Sequence, residues 1–129
     1  MAKKILVADD DTHVRILLEQ TLEDFEDVGV EVLLALDGQQ AWDLARTEQP
    51  DVIILDVMMP ELSGFDVCER IKNDPALSHI HIIMLTAKGQ SKDHKRSIAV
   101  GANEFLTKPF SPKRLVDRVA SLLDVDVTL

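Results

Sequence analysis

The 129 residues, 46% hydrophobic and 29% charged, suffice for one domain with its own core and are too apolar for a disordered chain. A formal net charge of -9 opposes binding to phosphate backbones, which depends on Lys and Arg, so direct contact with nucleic acid is not expected. Cys68 is the only cysteine, which excludes an intrachain disulfide. The four apolar residues that follow Met1-Ala2-Lys3-Lys4 are too few for a signal-peptide core or a membrane span, so we expect a cytoplasmic protein without membrane contact.

In chain order, Ile5-Leu6-Val7-Ala8 is a short continuous apolar run of the kind that forms a strand buried on both faces. It ends at Asp9-Asp10-Asp11. A helix follows, capped by Asp11 or Thr12, with Val14, Leu17, Leu18, Thr21, Leu22 and Phe25 on one stripe. Residues 30–35 read as a second buried strand. Asp37-Gly38 opens a second helix that turns Ala41, Leu44 and Ala45 inward and stops before Pro50. Residues 52–55 form a third strand closed by Asp56, after which Ser63 caps a helix containing Val67, Cys68 and Ile71 that Asn73-Asp74-Pro75 ends. Residues 80–85 make a fourth strand, residues 91–100 a fourth helix stopped by Gly101, and residues 104–106 a weaker fifth strand. The last helix has Ser111 as N-cap, Pro112 at its first position, and Leu115, Val116, Val119, Leu122 and Leu123 on one face.

Five strands alternating with five helices predict a doubly wound α/β fold with a five-stranded parallel sheet, because parallel neighbours need crossovers and those place helices on both faces. No linker or repeat interrupts residues 1–129, so a single domain is expected. In the flavodoxin-like strand order 2-1-3-4-5, the first and third strands are adjacent and a crevice opens beyond their C-terminal ends. Asp9, Asp10 and Asp56 would stand in it.

Clustered carboxylates raise one another's pKa unless a cation sits among them. An all-oxygen set without nearby Cys or His favours a hard divalent ion. Mg2+ fits better than a Ca2+ cage, because it takes one or two carboxylates, keeps waters and completes its shell with phosphate oxygens; Mn2+ is able to substitute. Thr86 and Lys108 follow the fourth and fifth strands and reach the same edge. A hydroxyl, an ammonium and a metal can then surround a phosphoryl group, with Asp56 as the natural nucleophile.

These residues resemble the bacterial response-regulator receiver domain, the CheY-like case of the flavodoxin fold. The likeness runs from Ile5 to about Leu123 through Ile5-Leu6-Val7-Ala8-Asp9-Asp10-Asp11, Leu55-Asp56-Val57-Met58-Met59-Pro60, Met84-Leu85-Thr86-Ala87 and Thr107-Lys108-Pro109-Phe110. Four such motifs in order at strand ends are specific where one would not be. The resemblance implies that Asp56 accepts a phosphoryl group from a phosphohistidine of a sensor histidine kinase or phosphotransfer protein. It implies that Asp10, Asp56 and the Met58 backbone carbonyl bind Mg2+, with Asp9 acting mainly through water. Lys108 would bridge to the phosphoryl oxygens, the Lys108-Pro109 bond would be cis, and Thr86 and Phe105 would move as a pair. The resemblance further implies an output surface of the fourth helix, fifth strand and fifth helix, serving a partner or a phosphorylation-dependent homodimer. Phe105 stands where the family often has Tyr, so no phenolic hydroxyl is available to an output surface that needs one; Ala8 in place of Val changes nothing.

A hydrogen bond to a charged group contributes about 1.5 to 3 kcal/mol, whereas driving a two-state equilibrium from about 1:99 to 99:1 needs roughly 5.5 kcal/mol. Thr86 alone cannot supply this, so Lys108 and the metal must contribute.

Plainer readings exist for each residue. Asp10 and Asp11 could be helix caps, Asp9 a solvated acid, Phe105 a core residue and Lys108-Pro109 a turn. His13, His79, His81 and His94 share no metal-binding spacing and receive no ligand role. Trp42 is expected to pack on the sheet or a helix, and Cys68 to be a small buried side chain. Lys92, Lys95 and Arg96 read as a solvated face, and Glu104 and Arg118 as a pair across a dimer. A haloacid-dehalogenase-type phosphatase would need a second Asp where Met58 stands, and a dinucleotide site would need glycines where Asp9-Asp10-Asp11 stand. A receiver acting as an unphosphorylated scaffold would not need all five key side chains.

Overall fold

The alternation of apolar runs and amphipathic runs becomes an alternation of parallel strands and crossover helices in the computed structural model, which describes residues 3–87 and 91–127. Met1 and Ala2, and the remaining residues of the domain expected over 1–129, lie outside the described residues. The elements are β1 (Lys4–Ala8), α1 (Thr12–Asp27), β2 (Glu31–Ala35), α2 (Gly38–Glu48), β3 (Val52–Asp56), α3 (Gly64–Lys72), β4 (His81–Ala87), α4 (Ser91–Ala99), β5 (Glu104–Lys108) and α5 (Pro112–Leu123). The sheet order is β2-β1-β3-β4-β5, and all four pairings are parallel.

The register keeps residues of like parity on one face. Ile5 pairs with Val52, Val7 with Ile54, and Ile54 in turn with Ile83. Those side chains form one apolar cluster with Leu18, Leu22 and Phe25 of α1 and Leu115, Val116, Val119 and Leu123 of α5. Leu6, Ala8, Ile53, Leu55, Ile82 and Met84 point to the other face, where Ala41 and Ala45 of α2 and Phe65, Val67, Cys68 and Ile71 of α3 cover them. Cores on both faces explain why β1 and β3 read as unbroken apolar runs.

The two outer strands depart from that rule. Glu31 and Leu34 of β2 are exposed, and every residue of β5 is half-buried, because an edge strand has a neighbour on only one side. Leu17 also leaves the predicted stripe of α1 and is exposed, while Leu18, Thr21, Leu22 and Phe25 are buried. Leu44 and Leu122 lie half-buried at the margins of their helices.

Helix starts follow local chemistry. The Asp11 side chain accepts from the His13 and Val14 amides, and Ser63 forms a capping box with Asp66. Ser111 accepts from the Arg114 amide, with Pro112 at the first helical position. Gly101, at φ 92, ends the turn after α4 in a conformation that L side chains disfavour.

Candidate functional site

The chain leaves β1 toward β2 on one side of the sheet, and the next strand to pair with β1 is β3 on the other. A crevice opens between their C-terminal ends, and the acids at those ends fall into it. Asp9 is fully buried, Asp56 is 6% exposed, and Asp10 is exposed at the rim. One carboxylate oxygen of each lies within 4.8 Å of the others. Lys108, at the end of β5, reaches across β4 to set its Nζ 2.8 Å from Asp56 Oδ1 and 3.2 Å from Asp9 Oδ2. The Asp11 amide donates to Asp9 Oδ1 at 2.9 Å, which fixes the other half of that carboxylate.

The cleft, about 300 Å3, is lined by Asp10, Asp11, Asp56, Val57, Met58, Leu85, Ala87, Asp93 and Lys108. Val57 and Met58 begin the loop of residues 57–63, which is held close by two glycines. A Cβ on Gly64 would stand 2.0 Å from the Asp56 carbonyl oxygen, and one on Gly38 would stand 1.8 Å from that of Leu62. The Gly64 amide donates to Val57 O at 2.8 Å, and the Gly38 amide to Pro60 O at 3.2 Å. The loop that carries Met58 is thus drawn tightly around the end of β3. The Met58 side chain is 73% exposed. The Lys108-Pro109 peptide bond is cis.

Thr86 is fully buried, yet its hydroxyl does not line the cleft. Oγ1 lies 2.9 Å from His94 Nε2 and 3.4 Å from Leu106 O. Phe105 is half-buried, and its ring stacks on His94 with centroids 4.2 Å apart and planes 21° from parallel.

Comparison with known proteins agrees with this geometry. The response regulator receiver domain family matches residues 5–120. The chain belongs to that family. It is 44% identical to a probable transcriptional regulator ycf27 of Cyanophora paradoxa, over 94% of its own length and 48% of that protein's. It therefore spans about half the length of this relative. A crystal structure of a response regulator from Chloroflexus aurantiacus superposes with a TM-score of 0.86 at 35% identity, covering 96% of this chain and 99% of that one. The receiver domain of a sensor histidine kinase from Pseudomonas aeruginosa, with a magnesium ion coordinated in its active site cleft, superposes at 0.84 and 27% identity, covering 96% and 99%. The chain is a response regulator receiver domain of two-component signalling, and a haloacid-dehalogenase-type enzyme is not favoured.

In this receiver domain the electrostatics follow from burial. Desolvation pushes the Asp56 carboxyl up to about 6, with the charges of Asp9 and Asp10 adding to it and the Lys108 hydrogen bond pulling against it. The acid cluster therefore carries the mutual penalty expected from its sequence, although burial is the larger cause. For Lys108 the balance runs the other way. Burial alone would lower its pKa, but the hydrogen bond and charge of Asp56, together with Asp9, raise it, so it stays an ammonium.

The donor set fits a hard divalent ion, because three carboxylate oxygens converge on one cleft in which Asp10 remains accessible to solvent. Two residues of the site were not read from the sequence. Asp93 lines the cleft from the first turn of α4, and His94, given no role, bridges Thr86 and Phe105. The Glu104–Arg118 pair, expected across a dimer, closes within one chain at 2.7 Å, and His81 joins it through Nε2. Burial would raise the Glu104 pKa, but the Arg118 and His81 hydrogen bonds outweigh it and hold the carboxyl below its ordinary value. Trp42 is half-buried with the guanidinium groups of Arg46 and Arg70 over its ring at 5.0 and 5.8 Å. Lys92, Lys95 and Arg96 are exposed, as a solvated face requires, and the Arg96 guanidinium lies over the Phe65 ring at 4.4 Å.

Proposed function

We propose that this receiver domain takes a phosphoryl group onto Asp56 from a phosphohistidine of a sensor histidine kinase or phosphotransfer protein. The observation that carries the reading is the buried Asp56 carboxylate at the end of β3, with Lys108 Nζ 2.8 Å away and oxygens of Asp9 and Asp10 close by. A group raised to about 6 is mostly ionised at neutral pH and so is ready to attack. Lys108 holds Oδ1 and so orients the carboxylate that attacks. As the new O–P bond forms, the N–P bond of the donor breaks and its imidazole leaves with the electron pair, then takes a proton from solvent.

Asp9, Asp10, Asp56 and the Met58 backbone carbonyl would hold Mg2+, or Mn2+ in its place. When bound, the ion offsets the acids' mutual repulsion and the charge that develops on the phosphoryl oxygens. Lys108 supplies the fixed ammonium for those oxygens. Thr86 and Phe105 form the switch: the hydroxyl moves to the phosphoryl group, and the ring turns inward behind it. Output passes through the face built by α4, β5 and α5, to a protein partner or a second copy, in the cytoplasm and without direct contact with nucleic acid. Among the described residues no helix is long and apolar enough to cross a membrane.

Acetyl phosphate tests the reading without knowledge of the kinase. Intact mass should show one added phosphoryl group with Mg2+ and none after chelation. Asp56→Asn should gain none, while Thr86→Ala is still phosphorylated. Normal incorporation by the Asp56→Asn protein would refute the assignment.

A further inference from the structure

The Thr86 hydroxyl has one hydrogen to give and is held between two groups of different kind. Leu106 O, 3.4 Å away, can only accept, whereas His94 Nε2, 2.9 Å away, accepts or donates according to its tautomer. The shorter contact is to the histidine. The same imidazole stacks on Phe105, with centroids 4.2 Å apart. One side chain of α4 therefore touches both members of the proposed moving pair, and neither hydroxyl nor ring can leave its place without disturbing it.

We propose that His94 is a positioning residue that latches Thr86 and Phe105 in the resting arrangement. The inference rests on the reading of that pair as the switch. For Thr86 to reach a phosphoryl group on Asp56, its hydroxyl must first give up His94 Nε2. Turning Phe105 inward also removes the face on which the imidazole lies. His94 thereby sets how much of the phosphoryl contact energy goes into opening the latch, and it links the strand-end chemistry to α4.

The latch stands apart from the ordinary packing of α4. Ser97 is the one buried residue of that helix, and its hydroxyl donates to Asp93 O within the helix itself. His94 is only half-buried, so replacing it leaves no large cavity. A neutral hydrogen bond of this kind shifts an equilibrium by about two- to tenfold. Loss of the stack adds a similar factor.

The test uses the full chain labelled with 15N and titrated with beryllium fluoride in saturating Mg2+, following the Thr86 and Phe105 amide resonances. His94→Phe keeps a stacking ring and removes the hydrogen bond. It should lower the half-conversion concentration by about two- to tenfold, since the apparent affinity rises as the competent state becomes more populated. Without ligand, its Thr86 resonance should already lie part of the way toward the saturated position. His94→Gln, which restores a polar partner without the ring, should return the midpoint toward wild type. Equal midpoints for wild type and His94→Phe, with any change confined to thermal unfolding, overturn the latch and leave His94 a packing residue. If the wild-type Thr86 and Phe105 resonances stay fixed at saturation while Asp56 binds the ligand, the underlying switch reading fails instead.

Discussion

Helices α3 and α4 have nine residues each and flank the same site, yet α3 buries five of them and α4 one. Phe65, Val67, Cys68 and Ile71 anchor α3 in the core beside Asp56, and Gly64 presses its first turn against the Asp56 carbonyl. What holds α4 is of another kind: the His94 hydrogen bond to Thr86, the His94 stack on Phe105 and the Arg96 guanidinium over Phe65. Contacts of this kind exchange for water or for one another at small cost, whereas buried apolar area does not. The strands repeat the contrast, since all of β3 is buried and all of β5 half-buried. Asp56, the proposed phosphoacceptor, is set in the rigid part of the molecule; of the groups proposed to respond to it, Thr86 is buried there as well, while Phe105 and His94 lie in the loosely held part.

The largest effect should come from the anchored helix. Ile71→Ala is expected to destabilise the fold by about 2–5 kcal/mol in urea unfolding, as loss of a fully buried isoleucine leaves a cavity. A loss below about 1 kcal/mol would show that α3 is not anchored as described.

Asp56→Asn sharpens the comparison differently, because the rigid part carries an electrostatic penalty. The folded carboxyl is raised to about 6 from an ordinary 3.8, so ionising it costs stability that grows as pH rises between those values and levels off above them. In chelator, the asparagine variant should match wild type in acid, below the ordinary carboxylate value. At neutral pH it should be more stable by about 1–2 kcal/mol, somewhat less than the full shift implies because Lys108 loses its partner. Thermal unfolding at the two pH values reads the difference, and a gain that is larger in acid contradicts the sign.

Ile98→Ala, in α4, should give the smallest effect. Ile98 is 66% exposed, and its truncation is expected to change stability by less than about 0.5 kcal/mol. A cost comparable with that of Ile71→Ala would erase the distinction between the helices.

The strands, their order and the meeting of Asp9, Asp10, Asp56 and Lys108 were legible because each acid or lysine closes an apolar run, and a doubly wound sheet brings such ends to one edge. Edge exposure of β2 and β5 was not, since an apolar run looks the same whether one neighbour covers it or two. His94 was missed for a related reason. A lone histidine on a helix of Lys, Asp and Arg has the signature of a solvated residue, and only the packing of α4 over the paired ends of β4 and β5 brings it to Thr86 and Phe105. Asp93 escaped notice in the same way. Glu104 and Arg118 were read as complementary, but nothing in their spacing told an internal pair from an intermolecular one.

The bare backbone at Gly38 and Gly64 also bears on how the site can be redesigned. Residues 58–62 form a short segment whose two ends are clamped by contacts that tolerate no methyl group, with Met59 and Leu62 packed against the core and Met58, Pro60 and Glu61 exposed. Loop libraries that vary the exposed Met58 and keep both glycines, Met59 and Leu62 can retune the approach to the acids without removing the contacts that hold the segment to the strand that bears them.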